Sequence, residues 1–240
     1  MKAKQARGGI RAVVLTLTAG ICVCLMEGRA PAREFQISAG PAYRWFFTGE
    51  ADPVFEERNM TSLGVRLGGE IIENLMLELE YCKRAGTTEA GLFGDYLTRL
   101  DSYWATAAVK YSIDILKFLN GFARGGGGLT FADYSVTAMG RKYSDFDYST
   151  HFYAGIGFEA FLPKTLFHDE ESSSFFRDLT GGILFELGYY YESPLSFDGL
   201  NPTGTSKPDD ALDDIQSRPA GAGSLSLSGM TFRVMLVMHF

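Results

Sequence analysis

Glu78 and Glu80 stand two residues apart, a spacing that sets two carboxylates on one face of a strand, where they could work as acid and base. The plainer reading is that each meets a basic partner across a closed interior. Three histidines, His151, His168 and His239, show no pair at metal-ligand spacing. Gly125-Gly126-Gly127-Gly128 invites a phosphate-loop reading, but no Lys-Ser/Thr pair follows and the context is strand rather than strand–turn–helix. Small residues where a wall bends or packs closely explain the run better. Asp209, Asp210, Asp213 and Asp214 offer the oxygen ligands that hard cations take. Their spacing lacks the glycine and terminal glutamate of an EF-hand loop, so they read as a solvated acidic loop, with a weak Ca²⁺ or partner site as the alternative. No cofactor is called for.

The composition narrows what could hold these residues. Of 240 residues, 46% are hydrophobic, 14% aromatic and 21% charged, which excludes a disordered chain. The 28 glycines, with 19 Phe and 12 Tyr, favour strands over helices. A formal charge of −7 argues against nucleic acid as a partner, since binding it normally needs a basic patch.

Lys2, Lys4, Arg7 and Arg11 precede an apolar run from Ala12 to Met26, and Ala30-Pro31-Ala32 supplies small residues after it. This is the layout of a secretory signal peptide over 1–32, cleaved near Ala32. The run is too short for a transmembrane anchor. Cleavage would remove five basic residues and one acid, leaving 17 Lys+Arg against 28 Asp+Glu in 33–240 and Cys82 as the single thiol. An internal disulfide is then excluded.

Along 33–240 a period of two recurs eight times. The expected strands are about 35–47, 61–71, 75–84, 102–111, 122–131, 150–162, 181–191 and 230–240. Each has one face of large apolar residues, such as Leu63, Val65 and Leu67, and one of small or polar ones, such as Ser62, Gly64 and Arg66. Pro41 interrupts the first strand and predicts a bulge or weak pairing there. Links after the odd-numbered strands, roughly 48–60, 85–101, 132–149 and 192–225, are long and polar. Those after the second and fourth, 72–74 and 112–121, are shorter, whereas 163–180 breaks the rhythm by being long.

Alternation alone does not say which face points inward, but volume does. The interior of an eight-stranded barrel is just wide enough for side chains to fill, and the Phe, Tyr, Trp, Leu and Ile face would overfill it. The small and ionic face fits. Its charges balance, with Arg44, Arg66, Lys110, Arg124 and Arg233 against Glu70, Glu78, Glu80, Glu159 and Glu186. Buried charges must be paired, so these are expected to form a salt-bridge plug. Trp104, Tyr153, Leu184 and Met235 also face inward on this register. Tyr43, Trp45, Tyr103, Tyr111, Tyr189 and Tyr191 fall toward strand ends and read as interfacial girdles.

The signal layout, the eight alternating strands and a last strand ending in Phe232, Val234, Leu236, Met238 and Phe240 resemble the small outer-membrane β-barrels of the OmpA, OmpX and OmpW type. The resemblance implies an all-β, eight-stranded antiparallel up-and-down transmembrane barrel in the cell outer membrane. Its partners would be outer-membrane lipid, the assembly machinery that reads the last strand, and a host or envelope ligand at the long loops. The expected role is surface-binding, adhesin-like or membrane-stabilising rather than enzymatic. An OmpW-like narrow channel for small hydrophobic molecules, opening sideways near Pro41, is the alternative. A lipid A-modifying enzyme, which would need a His–Ser pair facing lipid, is the minor one.

Overall fold

Alternation of bulky apolar with small or polar residues gives each strand two unlike faces, and closing such strands into a ring puts one set of faces inside and the other outside. A computed structural model describes residues 34–47, 59–84, 96–138, 141–162, 179–197, 201–202 and 223–240 of the chain. The signal layout of 1–32, Asp209, Asp210, Asp213 and Asp214, and His168 with most of the 163–180 link lie outside them.

Eleven strands are present: β1 Phe35–Phe46, β2 Asn59–Ile72, β3 Leu75–Arg84, β4 Tyr96–Leu116, β5 Leu119–Ala138, β6 Arg141–Phe161, β7 Thr180–Glu192, the short β8 Leu195–Phe197, β9 Asn201–Pro202 and β10 Gly223–Leu225, and β11 Gly229–His239. β1 to β7 and β11 pair antiparallel with their chain neighbours, and β1 pairs with β11, which closes the ring. Paired residues run from Phe35 through Gly69, Leu77, Val109, Gly125, Ala154, Tyr189 and Met230. They return to β1 at Trp45, ten residues further along. That stagger over eight strands tilts them by about 40° from the axis.

The sidedness is the one the volume argument requires. Leu63, Phe152, Ile156 and Leu236 are 60–68% exposed on the outer wall, while Arg66, Lys110 and Arg233 are at most 2% exposed inside. Gly128 shows how tight the closure is, since a Cβ there would lie 1.9 Å from the Ala105 carbonyl oxygen.

Two expectations about the links need correction, while at Pro41 the weak pairing is what forms. There is no bulge: the β1–β11 ladder skips Gly40 and Pro41 but resumes in the same register, and Pro41 pairs with Leu63 on the other side. Losing one N–H weakens a ladder without shifting it. The 112–121 link is mostly strand, because β4 and β5 continue to a tight turn at Lys117-Phe118. Most of the long 132–149 link is also strand. β4, β5 and β6 are 21, 20 and 21 residues long, about twice the span a tilted crossing needs. The last β3–β4 pair is Lys83 with Tyr103, and β6–β7 pairing starts at His151 with Glu192. Beyond those points β4, β5 and β6 form a three-stranded ledge above the upper rim, the rim opposite the Phe35–Phe240 end. β9 pairs with its β6 edge at Tyr143 and Ser144.

Candidate functional site: the lumen and its upper mouth

Inward positions of successive strands stack in layers down the barrel. The uppermost layer is apolar. Leu100 of β4, Ala132 and Tyr134 of β5 and Phe46 of β1 meet Leu195, Phe197, Leu225 and Leu227, and all are at most 8% exposed. Leu195, Phe197 and Leu225 come from the expected 192–225 loop and Leu227 from just beyond it, and the ends of that loop pair as the small β8–β10 sheet and fold back against the ledge. The Tyr134 and Phe197 rings lie 5.2 Å apart, and Asp147 accepts a 2.6 Å hydrogen bond from the Ser196 amide. This flap seals the upper mouth.

Beneath the flap Arg44 reaches Glu192 at 3.4 Å and donates to the Leu227 carbonyl at 3.3 Å. Its guanidinium also lies over the Trp104 and Tyr190 rings, 4.5 and 4.0 Å from their centroids, a cation–π arrangement favoured by desolvation. His151 bridges Thr106 at 2.9 Å and Thr130 at 3.1 Å.

The middle layer gathers Arg66, Arg124 and Arg233 with Glu78, Glu80 and Glu186. Arg124 meets Glu78 at 2.6 Å and Glu80 at 2.7 Å. Arg233 meets Glu186 at 2.7 Å and Glu80 at 3.0 Å. Arg66 meets Glu186 at 3.0 Å and Glu80 at 3.5 Å. Tyr153 donates to Glu186, Arg233 donates to Tyr190, and the Cys82 thiol donates to Glu80 at 2.9 Å. Every carboxylate touches at least two guanidiniums, the geometry a buried ion cluster needs to offset desolvation.

The lowest layer pairs Lys110 with Glu159 and with the Gln36 side-chain oxygen, both at 2.9 Å. His239 is hydrogen-bonded to Glu159. Phe122, Leu184, Met235 and Val237 fill the space around these groups.

Of the charges expected inside, Arg44, Arg66, Glu78, Glu80, Lys110, Arg124, Glu159, Glu186 and Arg233 all lie in these layers. Glu70 is elsewhere. It sits half-buried at the lower hairpin, where it accepts the Asn74 amide at 3.2 Å. Asn74 takes the positive φ of 67° that this tight turn requires. Glu192 takes Glu70's place in the balance and was missed because the seventh strand was ended at Tyr191. Counting by twos from Glu186 through Gly188 and Tyr190 would have found it. Glu78 and Glu80 are committed to arginines, with the Cys82 thiol also donating to Glu80, and both are buried. Neither His151 nor His239 faces lipid, and among the described residues no three His, Cys, Asp or Glu side chains gather as metal ligands. Trp104, Tyr153, Leu184 and Met235 do point inward, each at most 3% exposed, but they pack between the ion layers. Next to Pro41 the β1 and β11 backbones stay close, since a Cβ on Gly40 would lie 2.1 Å from the Val234 carbonyl oxygen.

Outside, the strand-end aromatics form contacts at the upper level. Tyr43 meets Trp45, Phe47 stacks on Tyr189, and a ladder of rings climbs from Tyr81 through Tyr103 and Phe131 to Phe146 at spacings of 6.3, 5.2 and 6.5 Å. Phe232, Leu236, Met238 and Phe240 of the last strand are exposed on the same wall, and Val234 is half-exposed. An apolar belt facing outward around a buried, charged interior decides the class.

The chain is an eight-stranded transmembrane β-barrel. No family model and no curated protein matches its sequence. Among solved structures it is similar to Neisserial surface protein A, at 11% identity and a TM-score of 0.44 over 86% of this barrel chain and 95% of that one. It is similar to Ail, the attachment invasion locus protein of Yersinia pestis, at 15% identity and 0.45 over 88% and 100%. The N-terminal β-barrel domain of Pseudomonas aeruginosa OprF gives 10% and 0.41 over 86% and 97%.

Proposed function

We propose that the chain is an outer-membrane barrel that acts through its upper surface and not as a conduit. Its role is surface-binding, adhesin-like, or stabilising for the membrane. The observation that carries this reading is the double closure of the lumen. An ion cluster blocks the middle, and an apolar flap built from Leu195, Phe197, Leu225 and Leu227 covers the mouth. A permeant ion would have to break charge-assisted bonds at one level and open an apolar seal at the other. The ledge is what remains to meet a partner. It rises above the aromatic girdle and presents Arg99, Asp101 and Tyr148 to solvent.

Planar-bilayer recording tests the closure. The purified protein is expected to insert without producing current steps, and reproducible unitary conductance would overturn the reading. The surface role is tested by attachment of cells displaying the full chain to host-matrix-coated plates. A variant with the hairpin tip 136–143 replaced by Asn-Gly should lose any attachment gained.

A further inference from the structure

Bulky side chains cover most of the outer wall, and an oblique groove of about 650 Å³ lies between two neighbouring rows of paired residues. The upper row is Val109, Gly125, Ala154, Tyr189 and Met230, across β4, β5, β6, β7 and β11, and the lower row is Tyr111, Ala123, Ile156 and Leu187. Gly125, Ala154 and Ala123 are the small residues of its two flanks, and Gly155 and Gly188 lie between the rows. Backbone crowding does not dictate Gly125. A Cβ there would find only the Tyr153 carbonyl oxygen at 3.9 Å, whereas one on Gly126 would strike the Ala107 carbonyl oxygen at 2.2 Å. Glycine weakens a strand, so Gly125 gives up strand stability and leaves open space in return.

We infer that this groove is a binding site for one saturated acyl chain of a membrane lipid. The inference rests on the membrane reading of the barrel and deepens it. The groove is continuous with the apolar belt, so hydrocarbon is what reaches it. Four strand spacings make it about 19 Å long, comparable with the ~15 Å that a tail spans in one leaflet of a ~30 Å hydrocarbon core. A tail lying along it touches the side chains of both rows and gains dispersion contacts with each. A second copy of the barrel fits poorly, because two convex walls meet along a line and leave the depression empty. The upper end lies beside Tyr189 and Met230, toward the aromatic girdle, so the tail enters from the upper leaflet.

The test uses the full-length barrel refolded in detergent micelles doped with phosphatidylethanolamine whose saturated tail carries a photoreactive diazirine. After irradiation, cross-linked peptides are mapped. Label is expected to concentrate several-fold on the peptides containing Gly125 and Ala154. Gly125→Leu and, separately, Ala154→Phe fill the groove and should bring that label down to the level of the other strands while heat-modifiable gel migration is retained. Val65→Phe, on the opposite wall, should leave the pattern unchanged and serves as the folded comparator. Even labelling around the wild-type barrel, or groove label that survives both filling variants, would overturn the site. A chain that stays monodisperse in detergent-free buffer would instead sink the membrane reading itself.

Discussion

Glu80 is the residue on which the middle of the barrel turns. It contacts Arg66, Arg124 and Arg233 and accepts the Cys82 thiol, all without exposure to solvent. Glu80→Gln keeps the shape and removes the charge, leaving three guanidiniums to share two carboxylates. Breaking a buried ion set from one side costs about 3–5 kcal/mol, because the remaining charge has no water to turn to. Urea unfolding of the refolded barrel in micelles should show a loss of that order. Glu70→Gln at the lower hairpin should cost less than ~1 kcal/mol, although both residues carry the same charge on facing strands. Equal losses for the two variants would mean that the interior ion set contributes nothing special.

Strand parity is the part of the elements that the sequence states clearly. A one-residue slip would put Arg66 in lipid and Leu67 in the lumen, so the pattern fixes the faces. Strand length is less legible. Above the bilayer nothing demands an apolar outer face, so Asp133 and Ser135 read as loop, and so do Asp145 and Asp147 on the inner side opposite Tyr134 and Ala132, although all four lie in the β5–β6 hairpin. The same blindness hid Glu192 and the flap, since Leu195-Ser196-Phe197 and Leu225-Ser226-Leu227 each alternate over too few residues to announce a strand. Glu70 went the other way: its parity is inward, but β2 has by then left the closed interior. These elements can be tested separately. Gly128→Val forces a side chain against the β4 backbone and should abolish heat-modifiable migration, whereas Phe197→Ala should leave the barrel intact and speed protease cleavage within 192–225. Identical behaviour of the two variants would contradict the division into barrel and flap.

At the scale of the whole molecule the ring has no free edge within the belt, and its interior is joined by residues far apart in sequence. Arg66 comes from β2, Glu78 and Glu80 from β3, Arg124 from β5, Glu186 from β7 and Arg233 from β11. No two neighbouring strands carry enough of these to neutralise the set. A chain ending before β11 should therefore give no protected intermediate under limited proteolysis in lipid vesicles. A stable, protease-resistant fragment of β1 to β7 would show that the sheet can stand half-formed.

The ion layer consequently acts as a latch on the order of assembly. Until the first and last strands meet, the charges destined for the centre need a wet surrounding. Burial of the ion layer is therefore favourable only once the β1–β11 seam closes, which ties the last step of pairing to the neutralisation of the centre.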